Sequence, residues 1–306
     1  MQRTEKNRPF TRTVYYGMLI LVAIVWGLDP IVNSHLYQYY SAAALSSLST
    51  LLSALLFFFL SIKKLKLLNM AYIKIALPIA LLNSLGCLLQ RIGLQYTSPA
   101  KYAFLEHLSC IVVPVILFVF LRRKPSKLQW AASLICLFGC LILTGAGTEA
   151  ATLGIGEVLC GAAGILFGAC IVLTGTYTKN LDIGLFMMIH MLVYFLTSAS
   201  LAIGLHHTLY NGHPIEAFVF SFDVRHLLFS MLFGFVSVGL CWLLKNEATR
   251  NVGASAVAVI GPLAAVVSSV ASIVIGSDQI SLSLAISSVM IVGAAILSGI
   301  SEAREK

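Results

Sequence analysis

The 306-residue chain is 59% hydrophobic, only 10% charged, and carries a formal net charge of +8. A soluble domain holds roughly 25% charged residues, and no soluble fold of this length has enough interior to hide so much apolar side chain, so the composition excludes a soluble globular protein and indicates a polytopic membrane protein. Seven cysteines, all inside apolar segments, argue against a disulfide framework.

A spanning helix needs about 20 mostly apolar residues. Ten segments qualify: 13–33, 38–62, 71–91, 99–121, 127–146, 153–176, 182–205, 224–245, 252–275 and 281–300. The first of them, around VYYGMLILVAIVW, is long enough to span and reads as a retained helix, not a cleaved leader. No strand-like alternation appears, so the fold class is an all-α polytopic membrane protein with ten transmembrane helices. The longest connection, 206–223, holds His206, His207 and His213 in a spacing too loose for a metal site. No metal or other cofactor is expected.

An ionisable side chain at a helix centre costs about 2.5–3.5 kcal/mol on insertion scales and marks a partner or a wet cavity. In the first helix Trp26, Asp29 and Asn33 share one stripe, and in the third Asn83, Cys87 and Gln90 do the same. The fourth, entered by AKYAFLEHLSCIVVP, aligns Tyr102, Glu106 and Ser109. Lys101 can snorkel to the interface; Glu106 is too deep to do so, and His107 lies beside it on a neighbouring face. In the fifth helix Cys136 and Cys140 read as small packing residues. The sixth aligns Glu157, Cys160, Gly164 and Phe167, and its GILFG fits close packing within the chain better than a homodimer seam, although a homodimer is a candidate assembly. His190 in the seventh reads as packing.

Lys and Arg concentrate on the cytoplasmic side of membrane proteins. With both termini cytoplasmic, only Arg91, Lys101 and Arg225 of the 20 basic residues fall outside, and Lys245 and Arg250 count among those inside. Topology accounts for the basic balance, and nucleic acid is not an expected partner.

The chain also repeats itself. LFGCLILTG at 137–145 resembles IVGAAILSG at 291–299, Pro114 in helix four corresponds to Pro262 in helix nine, and LQYTSPAKYAF precedes one as EATRNVGASAV precedes the other. The halves are 1–148 and 149–306, with five helices each. Five is odd, so the second half enters with opposite orientation, as in many secondary transporters that bind substrate between inverted repeats.

Trp26-Gly27 in helix one, Tyr96-Thr97 leading to Pro114, and Gly156-Glu157 opening helix six resemble the EamA-like transporters of the drug/metabolite transporter superfamily. The chain departs from that pattern at Arg123-Lys124 and Gly276-Ser277-Asp278, where a Gly-Glu is usual, and at Cys110, which holds the usual place of the first proline. The resemblance implies a cavity surrounded by helices one, three, four, six, eight and nine, and a transport role.

The expected function is therefore secondary transport of a small metabolite across the cell membrane by alternating access, with the bilayer and the solute as partners. Trp26, Tyr102 and Phe167, with Asp29, Glu106, Asn83 and Gln90, suit a cationic or zwitterionic amine or amino acid. Glu106, His107 and Glu157 are candidates for proton coupling, with capping of a helix N-terminus as the alternative for Glu157. An intramembrane enzyme lacks paired aspartates or HExxH, and a channel usually repeats its filter around a ring of subunits.

Overall fold

A computed structural model describes residues 10–94, 96–97, 104–144, 154–210, 213–214, 216–276 and 281–304. Nine helices among them are long and apolar enough to cross a membrane, and a tenth apolar helix, Phe104–Val119, is shorter. In chain order they are α1 (Arg12–Leu36), α2 (Ala42–Leu67, its last residues from Ile62 a 3₁₀ turn), α3 (Met70–Leu94), α4 (Phe104–Val119), α5 (Lys127–Thr144), α6 (Ile155–Tyr177), α7 (Ile183–His207), α8 (Val224–Val252), α9 (Ala254–Val274) and α10 (Leu282–Arg304). The protein is an all-α, multi-pass membrane protein. A two-residue ladder, Leu209–Tyr210 with His213–Pro214, is the only regular strand pairing among the described residues.

Without water in the hydrocarbon, each backbone group needs a partner within the protein. In α2 the hydroxyls of Ser46, Ser49, Thr50 and Ser53 donate to carbonyls four residues back, at 2.6–2.9 Å. This satisfies the side chains and leaves a small-residue face against which α7 and α8 pack.

Three helices depart from regularity. Around His107 in α4 the bonds shorten to three-residue steps, His107 N–H to Phe104 O at 3.1 Å and Cys110 N–H to His107 O at 3.0 Å. In α9 the break falls at Gly261-Pro262, with Ala265 N–H bonded to the Pro262 carbonyl at 3.0 Å. Pro114 and Pro262 are therefore not matched weak points: Pro114 lies inside the regular segment Ser109–Val119, and the irregular turn comes before it. Helix α8 contains a π-helical segment, Phe235–Leu240. The Ser237 carbonyl within it accepts the Trp26 indole N–H at 2.7 Å.

The main contacts pair α2 with α7, α5 with α10, α3 with α6, and α1 with α9. These partners recur when each helix number is advanced by five: α1 on α9 becomes α6 on α4, and α3 on α6 becomes α8 on α1. Both crossings of the first kind run through glycine. A Cβ on Gly27 would collide with Ala264 and Val267 of α9, and one on Gly168 with Val112 of α4. The GILFG motif is thus a seam within the chain: Gly164 rests against the Leu105 carbonyl.

At the end of the bundle near the α2–α3 turn, Asp182 caps α7 by accepting from Leu185 N–H at 3.2 Å. It also pairs with Lys64 at 2.7 Å. Its carbonyl accepts from the Tyr72 hydroxyl at 2.6 Å. Burial opposes its charge, but Lys64 and the helix N–H groups hold the carboxyl below its usual range.

Gly164→Ala should lower the stability of the solubilised protein by about 1–3 kcal/mol, because the obstacle is backbone. Gly17→Ala, where nothing lies within 4 Å, should leave the thermal midpoint unchanged or slightly raised. Asp182→Asn should lower the midpoint at neutral pH modestly: the amide still caps the helix, but the Lys64 pair and the negative charge at the helix start, worth about 0.3–1 kcal/mol, are lost. A depressed carboxyl stabilises the fold above its unfolded pKa, near 3.9, and that stability vanishes as pH falls through the lower folded value. The difference between wild type and Asp182→Asn should accordingly shrink in unfolding scans taken below pH 4.

Candidate functional site

A cavity of about 770 Å³ runs down the centre of the bundle. Most of its lining comes from α1, α3, α4, α6, α8 and α9, the six helices named by the resemblance, joined by Tyr194 of α7 and Ala42 at the start of α2. At one end it is bordered by exposed residues, Tyr37 at 44% and Val219 at 42%, together with Ala217. At the other it stops on Leu19, Val257 and Ile260, each under 5% exposed. Beyond that floor Tyr15, Val113, Val172, Ala248 and Val252 pack together from α1, α4, α6 and α8. Below this plug Arg250, 6% exposed, donates to the carbonyls of Lys179 at 3.2 Å and Leu181 at 2.6 Å and pairs with Glu247 at 3.0 Å. The cavity is open at the α1–α2 end and closed at the α6–α7 end.

Trp26, Asp29, Gln90, Glu106, His107 and Phe167 all line it. Asn33 donates to the Asp29 carboxylate at 2.5 Å. Glu106 enters at the irregular turn of α4, within electrostatic reach of Asp29, His107 and Lys245. The break in α9 brings the backbone of Gly261 to the opposite wall.

Two residues expected at the site lie elsewhere. Asn83 is fully buried one turn behind Cys87, with its Nδ2 4.0 Å from the Cys87 sulfur, so the shared stripe of α3 reaches the cavity only through Cys87 and Gln90. Glu157 caps α6 instead of facing the cavity. It accepts from Gly154 N–H at 2.9 Å and from the Thr97 hydroxyl at 2.7 Å, because the first turn of a helix leaves unpaired N–H groups beside it. Tyr102 and Lys101 lie outside the described residues.

Three more charged residues line the site: Lys245 and Glu216, which the sequence does not single out, and Arg91, which it places at the outer side. Lys245, read from the sequence as the last residue of the span 224–245 and counted on the cytoplasmic side, lies well within α8 because the helix continues to Val252; it lines the cavity with its ammonium over the rings of Trp242 at 4.3 Å and Trp26 at 4.9 Å. The signal available is the i, i+3 spacing of Trp242 and Lys245, both inside the span 224–245, masked because the lysine stands at its end. Arg91 lines the open end and donates to the Ala42 carbonyl. Glu216, from the 206–223 connection, accepts from the N–H groups of Ala42 and Ala43 at 2.8 and 3.1 Å, so this loop is a structured border of the opening.

The model of the EamA-like transporter family matches residues 13–145. This region is an EamA-like transporter domain. Residues 13–145 thus match a family of membrane transporters of the drug/metabolite transporter superfamily, over somewhat less than half of the chain. A protein crystal structure 14% identical in sequence shares this fold at a TM-score of 0.71, covering 94% of this chain and 98% of the other. No curated protein gives a significant sequence match.

Of the protein's seven cysteines, all in the thiol form, Cys87 alone lines the cavity. A small charged methanethiosulfonate reagent should therefore label the solubilised protein chiefly at Cys87. Cys87→Ser should remove most of the labelling measured by intact mass.

Proposed function

We propose that the protein is a secondary transporter that carries a small amine or amino acid across the cell membrane by alternating access. The observation that carries this reading is the one-ended cavity: roomy, lined with ionisable groups, and sealed on the far side by packed side chains. A continuous pore would need no such plug, so the channel reading loses ground.

The mechanism we favour treats residues 1–148 and 149–306 as inverted repeats. The recurrence of packing partners under a five-helix shift supports this, and so does the use of glycine at both the α1–α9 and α4–α6 crossings. In the opposite state the two halves would exchange roles, the floor at Leu19 and Val257 opening while Tyr37 and the 216–219 segment close. With both termini cytoplasmic, the open end faces outward. Asp29 and Glu106 supply negative charge for an ammonium group, Trp26 and Phe167 supply ring faces, and Glu106 with His107 forms the candidate proton-coupling pair.

The test is uptake into proteoliposomes over a panel of amines and amino acids. Glu106→Gln should reduce gradient-driven accumulation of a transported solute by tenfold or more, equivalent to about 1.4 kcal/mol. If Glu106 carries protons, solute exchange across the membrane should survive in that variant; if it binds the solute's ammonium, exchange should fail as well. Sidedness is checked in intact cells. An impermeant thiol reagent should label a cysteine at Asn33 or Ala217, and one at Lys64 or Lys124 only after permeabilisation. The reversed pattern would overturn the orientation.

A further inference from the structure

We infer that Lys245 is a carboxylate receptor and the specificity determinant of the cavity, so that the transported solute bears a carboxylate as well as an amine. This rests on the transport reading and narrows it.

A lysine inside a membrane protein ordinarily pairs with an acid or snorkels to water. Lys245 does neither. Its ammonium faces the central cavity, and among the described residues it makes no ion pair and no hydrogen bond. What holds it is aromatic: the rings of Trp242 and Trp26, at 4.3 and 4.9 Å, on two different helices. Those rings are themselves fixed. Trp26 donates to the Ser237 carbonyl at 2.7 Å. Trp242 lies against Trp26 and against the fully buried His190, both at 5.4 Å between ring centroids. Ring faces steady a cation without neutralising it or occupying its hydrogen-bond donors. The ammonium is thus preorganised and still in need of an anion.

The acids within the cavity do not fill that need. Asp29 is held by Asn33, and Glu216 is held by two backbone N–H groups at the open end. Glu106 interacts with Lys245 only across space. A monoamine drawn to Asp29 and Glu106 would bring a second cation toward Lys245, and a simple anion drawn to Lys245 would meet those two carboxylates. A zwitterion satisfies both sets: its carboxylate takes the donors of Lys245 and its ammonium faces Asp29 and Glu106. The apolar and aromatic surfaces of Phe167, Ile171 and Trp242 bound the remaining space, which suits an uncharged side chain.

The experiment uses the purified full-length protein in nanodiscs. Binding of the proteinogenic amino acids, their amides and the corresponding decarboxylated amines is followed by thermal stabilisation and by indole emission. Two of the three tryptophans flank Lys245, so a carboxylate arriving there should perturb the fluorescence directly. The expected result is that at least one amino acid binds and perturbs the emission, while its amide and amine bind about 10- to 100-fold more weakly, the worth of a hydrogen bond to a charged group. In Lys245→Gln the acid should fall to the affinity of the amide, which should not change; Lys245→Arg should keep the preference. The matched pair on wild-type protein tests the idea even if a variant misfolds. Equal affinity of acid and amide, an undiminished preference in a folded Lys245→Gln protein, or no binding by any amino acid would each overturn it. Uptake of a solute without a carboxylate would overturn this assignment and leave the transporter reading standing.

Discussion

The organising constraint is the cost of an ionisable group in hydrocarbon. At about 2.5–3.5 kcal/mol for each such residue at a helix centre, the bundle gains by placing its intramembrane charges together in one wet space. Asp29, Arg91, Glu106 and Lys245 all line a single cavity, although they come from four helices. The other deep cation, Arg250, shows the alternative solution: it is buried below the plug with its donors spent on two carbonyls and Glu247. A buried cation satisfied in that way is a structural tie. One left with open donors beside a cavity is available to a ligand.

The backbone follows the same logic. Irregular main chain is tolerated at membrane depth only where protein or cavity water covers its free groups. The turn of α4 at His107, the π segment of α8 at Ser237 and the break of α9 at Gly261 each occur at a cavity-lining residue. The irregularity has local consequences. It brings Glu106 and His107, adjacent in sequence, into the same space, and it gives Trp26 a carbonyl to bond. Glycine seams on α1 and α6 allow these distorted helices to approach closely enough to form walls.

Much of the architecture was legible because hydropathy over a whole span is a strong signal. The ten apolar segments, the polar stripe of Trp26, Asp29 and Asn33, and the depth of Glu106 all followed from spacing and rise per residue. What was not legible depended on where helices end and on which neighbour covers a face. Lys245 looked like the end of its helix because KNEATRN reads as polar chain, yet that polar stretch continues α8 to Val252, its Asn246, Thr249 and Arg250 buried against neighbouring helices. Asn83 looked like a site residue because a helical stripe has width; packing decided that Cys87 and Gln90 face the cavity and Asn83 does not. Glu157 had two readings in sequence, and a nearby Thr97 with an unpaired helix start favours the cap.

On the inverted-repeat reading, a frame built from similar halves need not carry similar chemistry. In α3 the pair Cys87 and Gln90 faces the cavity at an i, i+3 spacing; in α8 the pair Trp242 and Lys245 does so at the same spacing. One wall therefore offers a small thiol and a neutral amide, with Arg91 at its open end, the other an indole and a lysine deep in the cavity. The first helices of the halves present Trp26 and Phe167, each followed by the glycine of its seam. The repeated elements are those that fix how helices cross, where a misplaced methyl group meets backbone. The elements that differ project into open volume, where substitution costs little packing. Selectivity can then change on one wall without disturbing the crossings on which movement between the two ends of the cavity would depend, and on the zwitterion reading Lys245, deep on the α8 wall, would set the direction in which a bipolar solute aligns.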